Sequence, residues 1–287
     1  MKVKENKPIY CDVAYAGLQA VRLYFAATFD PTFTAERSKS LLRVNNALNG
    51  SFFKYKTQDD RFFSFHLYYE SQKERILKAL DVSKSPEDFN MESIKEDNEL
   101  LNKLMLTYKG VDLEEYVFES GGSGCVIRNR DEWSSIPVGK AVNEMPLLNI
   151  QKTSDGPGLK DKKLGGPKGP LQGLKVLDIT HIIAGAACTR LLAENGADVL
   201  LVRRKEFSVQ EQAFSELDGW AGKRAIDLDL NNTPDLERIK ELIKEADVLV
   251  YTYQNNAFDK FGLSREEILE LNPNLIHSSL MCFSETV

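Results

Sequence analysis

The chain has 287 residues and a formal net charge of -6, room for one large or two ordinary domains. With 42% hydrophobic and 28% charged residues it can bury a core, and its acidic balance argues against a dedicated nucleic-acid or membrane-surface binder, which needs a basic face for phosphates. No stretch approaches the ~20 apolar residues of a membrane helix, and the basic start MKVKENKPIY lacks the apolar run of a secretory signal. Cys11, Cys125, Cys188 and Cys282 stand far apart, as do His66, His181 and His277. Scattered thiols without ligand spacing argue for an intracellular, reducing compartment, the cytoplasm first, and against a metal site.

In chain order, apolar residues at helical spacing predict helices over Tyr10–Phe29 and Thr34–Leu48. Phe52–Tyr55 and Arg61–Leu67 read as strands around the polar turn Lys56-Thr57-Gln58-Asp59-Asp60. Amphipathic helices follow over Ser71–Leu80 and Met91–Tyr108. Residues 113–150 hold a short helix, the turn Gly121-Gly122-Ser123-Gly124, and Trp133, expected to anchor a small core. Residues 151–170, QKTSDGPGLKDKKLGGPKGP, are rich in glycine, proline and lysine and read as a solvated linker.

Beyond the linker the pattern alternates. Leu174–Ile179 is a near-continuous apolar strand, as burial on both faces requires. Ala186–Asn195 is a helix with Gly196 at its left-handed end, and Asp198–Val202 is the next strand. Thr233-Pro234-Asp235 opens a helix with the Thr233 hydroxyl as cap. Asp247–Tyr251 is a strand, Ser264 and Glu267 form a capping box, Pro273 ends that helix, and Leu275–Met281 is the last strand. Such alternation predicts an α/β fold: a doubly wound, mainly parallel, Rossmann-like sheet over 171–287, beside a smaller α+β domain over 1–150.

The turn Thr180-His181-Ile182-Ile183-Ala184-Gly185-Ala186-Ala187 between strand and helix has two readings. It is an anion site built on a helix start, or a plain turn whose small residues pack helix on sheet. One glycine and no acid at the end of the second strand count against a dinucleotide fingerprint. Arg203-Arg204 ends that strand, where a guanidinium suits a phosphate or merely meets solvent. Lys223-Arg224 raises the same pair of readings, with these basic groups expected near the carboxyl edge of the sheet. Asp178 reads as a hydrogen-bonded structural aspartate, His181 as a lining residue, and Cys188 and Cys282 as small core residues without a flanking base.

Taken together, GPLQGLKVLDITHIIAGAACTRLLAENGADVLLVRR, GKRAIDLDL and ADVLVYTYQNNAFDKFGLSREEILELNPNLIHSSLMCFS resemble the class III CoA-transferase family over about residues 169–284. This is the CaiB/BaiF group that also includes α-methylacyl-CoA racemases. The resemblance implies that the turn and strand ends hold the nucleotide end of coenzyme A. It puts Ile183 and Ala184 against the nucleotide, Arg204 at the phosphate-binding position, Lys223 in a lysine–arginine segment near the nucleotide, and Thr252 and Tyr253 where an Asn-Phe pair flanks the adenine. Gln254-Asn255-Asn256 stand where the family carries Arg-Pro-Gly. KYKTQDDRFFSFHLYYESQKERILKALDV and CVIRNRDEWSSIPVGKAVNEMPLLNI resemble the family's later, small-domain region, an order similar to that of longer fungal members.

Several expectations follow from the resemblance. The ligands are an acyl-CoA and a small carboxylate, with coenzyme A a substrate rather than a bound cofactor. The reaction is CoA transfer from a thioester to a carboxylate, or racemisation of a 2-methylacyl-CoA. The assembly is a homodimer or a heterodimer of paralogues. The family's catalytic aspartate lies past a glycine-rich segment that would follow Phe283, so no catalytic residue is assigned here, and the chain reads as a fragment, a truncated product or a degenerate paralogue. The alternative is a non-catalytic paralogue that binds CoA or a complete partner.

Overall fold

The computed structural model describes residues 54–67, 70–83, 85, 88, 94–146, 148–153, 156–181, 183–204, 219–253 and 257–281. The helices expected over 10–29 and 34–48, together with Cys11, Cys282 and Gln254 to Asn256, lie outside them. The chain divides into two compact units at Glu144 and Met145.

The small unit is built on an antiparallel sheet of β1 (Lys54–Lys56), β2 (Phe62–Phe65) and β3 (Gly124–Val126), in that order. Among the described residues, five helices belong to it: α1 (Glu70–Ala79), α2 (Ile94–Met105), α3 (Gly110–Glu119), α4 (Arg130–Ser135) and α5 (Pro137–Glu144). Alternation along β2 turns Phe63 and Phe65 inward and leaves Phe62 exposed. The inward rings meet Tyr55, Ile76, Leu77, Leu101, Met105, Leu113 and Val117 in one apolar cluster. The β1–β2 turn is fastened by Asp59 Oδ1, which accepts from the Thr57 hydroxyl at 2.6 Å and from the Gly110 N–H at 3.0 Å. Asn129 and Glu132 close a capping box on α4. Trp133 corrects the sequence reading. It is half-buried in the α4–α5 corner, against Gly139, and lies outside the apolar cluster. Its backbone and ring rest against Gly139 of α5 instead.

The second unit holds a five-stranded sheet, all parallel, in the order β6-β5-β4-β7-β8. The elements are β4 (Lys175–Ile179), α6 (Ala184–Glu194), β5 (Asp198–Arg203), β6 (Arg224–Asp227), α7 (Thr233–Glu245), β7 (Val248–Tyr251), α8 (Arg265–Leu271) and β8 (Ile276–Ser279). The chain starts in the middle, winds outward to β6, then returns past β4 to wind the other way, the pattern of a nucleotide-binding fold. The strands serve two cores. Val176, Val199, Val248 and Val250 face α6 through Cys188, Leu192 and Ala193. Leu177, Ile179, Leu249 and Tyr251 face α7 and α8 through Ile239, Leu242, Ile243 and Ile268. Apolar residues on both faces are what the unbroken hydrophobic runs predict.

Local chemistry sets the boundaries. Gly196, at φ 95°, ends α6 in a Schellman turn: its N–H donates to Ala193 O and that of Ala197 to Leu192 O. Ser264 and Glu267 form the expected capping box on α8. At α7 the cap position falls on Asn232, one residue before the expected threonine, and no side chain caps it. The stretch 151–170 is mostly exposed, yet from Leu159 onward it is tied to the sheet. Leu159 packs on the α6-side core, and Lys162 pairs with Asp247, whose carboxylate also accepts from Lys175 N.

Candidate coenzyme A site

In a sheet of this order the strands flanking the reversal, β4 and β7, leave helices on opposite faces, so a crevice opens beyond their carboxyl ends. The turn after β4 and the start of the loop after β7 line it. His181 N–H donates to Thr252 Oγ1 at 3.1 Å, and the His181 and Tyr253 rings stack at 4.6 Å and 19°. Phe258 continues the aromatic wall, 5.3 Å from Tyr253 and 5.2 Å from Tyr251. Burial, with help from Tyr253 and Asp259, pushes the Tyr251 phenol up to about 12, so it stays protonated.

Helix α6 begins at this crevice. Its cap position is Ile183, 58% exposed, no side chain caps the first turn, and that turn carries no acid. Uncapped N–H groups at a helix start favour an anion. Gly185 makes the close approach possible: a Cβ there would stand 2.5 Å from Thr180 Cβ and 2.6 Å from its Cγ2, and would also strike the Thr252 methyl. On the β5 side the register pairs Asp178 with Leu201. Counting forward equally along both strands brings Arg204 level with His181, and Arg204 is exposed there. Its neighbour Arg203 bonds Asp227 in a fork at 2.7 and 2.8 Å, with its guanidinium 4.8 Å from the Trp220 ring centre.

Beneath the turn lies a buried polar knot. Asp178, fully buried, accepts from Thr180 N (3.1 Å) and Thr180 Oγ1 (2.6 Å) at Oδ1. At Oδ2 it accepts from the Thr189 hydroxyl (2.5 Å) and the Lys223 ammonium (2.8 Å). Lys223 Nζ donates further to Thr189 Oγ1 at 2.6 Å and to the Ala186 carbonyl at 3.1 Å, with its side chain 1% exposed. Burial pulls the Lys223 ammonium below its ordinary range while Asp178 pushes back. The same burial, reinforced by the charge of Asp178, raises the neighbouring Cys188 thiol, which fits a packing residue rather than a nucleophile.

Residues 171–286 match the family model of CoA-transferase family III. This unit belongs to CoA-transferase family III. Over 228 residues, 76% of this chain, the sequence is 31% identical to an acyl-CoA transferase of Gibberella moniliformis, of which it covers 38%. That alignment is longer than the family III unit, so it reaches into the small unit and runs through both in the same order. Over 126 residues it is 37% identical to a formyl-CoA:oxalate CoA-transferase of Escherichia coli, covering 40% of this chain and 30% of the relative. The crystal structure of a CaiB/BaiF family protein from Brucella suis aligns over 39% of this chain and 33% of that one, at 29% identity and a TM-score of 0.33. The chain spans about a third of the length of the curated relatives it matches.

Within the family III unit, Ile183, Ala184, Thr252 and Tyr253 gather at the crevice, and Arg204 stands level with them. Lys223 and Arg224 depart from the expected carboxyl-edge cluster. Lys223 is interior, and Arg224 opens β6 toward the amino edge, forked onto Asp198 at 2.8 and 2.9 Å. Gly185 packs helix on sheet, as one of the two sequence readings had it, and the sequence reading missed Thr189 as the member that joins Asp178 to Lys223. A threonine one helical turn past Gly185, on the face that the small residues bury, was the available signal.

Proposed function

We propose that this chain handles acyl-CoA thioesters, with the nucleotide end of coenzyme A held at the crevice between β4 and β7. In this reading the α6 start at Ile183 and Ala184 lies against the nucleotide. Arg204 takes a phosphate, and Thr252 with Tyr253 flanks the adenine, the tyrosine offering a face for stacking. Coenzyme A is substrate, not resident cofactor. The reaction is transfer of CoA from an acyl thioester to a free carboxylate, the new thioester forming as the old acyl group leaves as its carboxylate; 2-methylacyl-CoA racemisation is the related alternative within the family. Dimerisation, with itself or a paralogue, belongs to the same proposal.

The observation that carries the reading is one edge of one sheet. An uncapped helix start, an aromatic wall and an arginine meet beyond the strand ends, in the segment that matches the family. The likeness to the Gibberella acyl-CoA transferase and the Escherichia formyl-CoA:oxalate CoA-transferase supports CoA thioesters and small carboxylates as the ligand classes. Calorimetric titration of coenzyme A into the wild type and Arg204→Ala tests it. Loss of one charge-assisted phosphate contact should cost about 1.5–3 kcal/mol, roughly ten- to a hundredfold in affinity. No heat at millimolar coenzyme A, or equal affinity in the two proteins, defeats the assignment.

A further inference from the structure

We infer that Lys223 serves the coenzyme A site as a positioning residue. Its ammonium, sealed between β4 and α6, locks the first turns of α6 onto Asp178 and so sets the shape of the turn 180–185 without meeting the ligand. The inference rests on the coenzyme A reading above, and it moves Lys223 from the contact layer to the layer behind it. Three features carry it. The side chain is 1% exposed, so a phosphate in the crevice does not reach Nζ. An ammonium has three N–H donors, and Lys223 has three partners: Asp178 Oδ2, Thr189 Oγ1 and Ala186 O. Those partners sit on the two elements whose separation defines the turn.

The bonds run onward in both directions. Through Asp178 Oδ1 they reach both the N–H and the hydroxyl of Thr180, the first residue of the turn. Through Ala186 and Thr189 they reach α6 directly behind its start. Between the two anchors Gly185 has no room for even a methyl group. With Thr180 and α6 both fastened and Gly185 wedged between them, the start of α6 has one placement against β4. That placement decides where the N–H groups of the α6 start point. Lys223 thus acts on the ligand through α6, much as an outer-layer partner orients a metal ligand.

Two measurements test this. The first is acetylation of the native protein by an N-hydroxysuccinimide ester, read residue by residue by mass spectrometry. Lys223 should stay unmodified with and without coenzyme A while the exposed Lys244 and Lys260 react. Modification in the free protein with protection by coenzyme A would make Lys223 a direct ligand and overturn the inference. The second compares Lys223→Met with the double variant Lys223→Met/Asp178→Asn, in which no buried carboxylate is left unpaired. In both, amide exchange across 187–190, the first hydrogen-bonded amides of α6, should speed at least tenfold, and coenzyme A affinity should fall roughly tenfold, the scale of one lost hydrogen bond. The double variant should recover melting temperature but neither exchange protection nor affinity. Recovery of all three, or wild-type exchange in both variants, rejects a positioning role. Absence of coenzyme A binding by the wild type would instead defeat the reading on which this rests, while the exchange data would still decide whether Lys223 sets the turn.

Discussion

The small unit closes on Tyr55, Phe63, Phe65, Leu101, Met105 and Leu113, rings and aliphatic chains whose one polar tip, the Tyr55 hydroxyl, donates to Asn98 at 2.8 Å, while Asp59 fastens the β1–β2 turn. The family III unit does the opposite at one point: between apolar layers it runs a buried aspartate, a lysine and two threonines from strand to helix. Apolar packing is non-directional and fills space. A buried ion pair is directional, and on desolvation grounds it is weak evidence for stability. The difference shows where each unit needs a fixed geometry. The small unit needs a filled volume, whereas the second needs one turn held in one place, at the sheet edge where its candidate ligand residues meet.

Breaking the polar knot should therefore cost at least as much as a typical single loss of apolar volume. Asp178→Ala strands the Lys223 ammonium and the Thr180 N–H together, and such a loss costs about 3–5 kcal/mol. In the small unit, Leu113→Ala leaves a cavity and costs about 2–5 kcal/mol, at the upper end only if the helices cannot collapse onto it. Urea unfolding followed at Trp133 for the small unit and Trp220 for the other would report the two transitions separately. An Asp178→Ala protein whose Trp220 transition matches the wild type would dissolve the contrast. Gly185→Ala sharpens it from the other side. The added methyl overlaps Thr180 and Thr252 and should cost about 1–3 kcal/mol, with the Thr252–His181 bond lost while the small unit's transition is untouched.

The smallest effect at neutral pH concerns His277 on β8. Burial, with a contribution from Arg265, lowers its imidazole to about 4, below the ~6.5 of an unfolded chain. The unfolded state therefore binds the proton first as pH falls. Stability contributed by this histidine is fully present above about 6.5, is lost progressively between there and about 4, and levels off below. A His277→Gln variant should show a flatter stability profile across that window, checked by thermal melts from pH 7 to pH 4; an unchanged slope would assign the acid sensitivity elsewhere.

What the sequence made legible follows the reach of its rules. The strand–helix alternation from Lys175 to Ser279, the Gly196 stop and the Ser264–Glu267 box each depend on residues within a few positions, and each could be read directly. The β1–β2 hairpin was legible for the same reason, through the polar turn at 56–60. Of the site, the turn at 180–187 and the arginines ending β5 were legible as strand-end chemistry. The partner of Asp178 was not, because Lys223 is 45 positions away in sequence and reaches it only once β5 and β6 are paired. The His181–Tyr253 stack depends on β7 returning beside β4, a topological fact. Trp133 misled because ring size alone suggests a core residue, whereas it packs against Gly139 at the α4–α5 corner.

Asn272, just past α8, carries a last consequence. Its buried carboxamide donates to the Ile243 and Ala246 carbonyls at 2.9 Å each, finishing the end of α7 from another segment of the chain. Asparagine ages by deamidation when the next residue's backbone nitrogen attacks the side-chain carbonyl. Here the next residue is Pro273, which has no N–H to form the ring. The residue that breaks α8 thus also shields this buried amide from slow chemical decay, and the α7 end keeps its cap over the lifetime of the molecule.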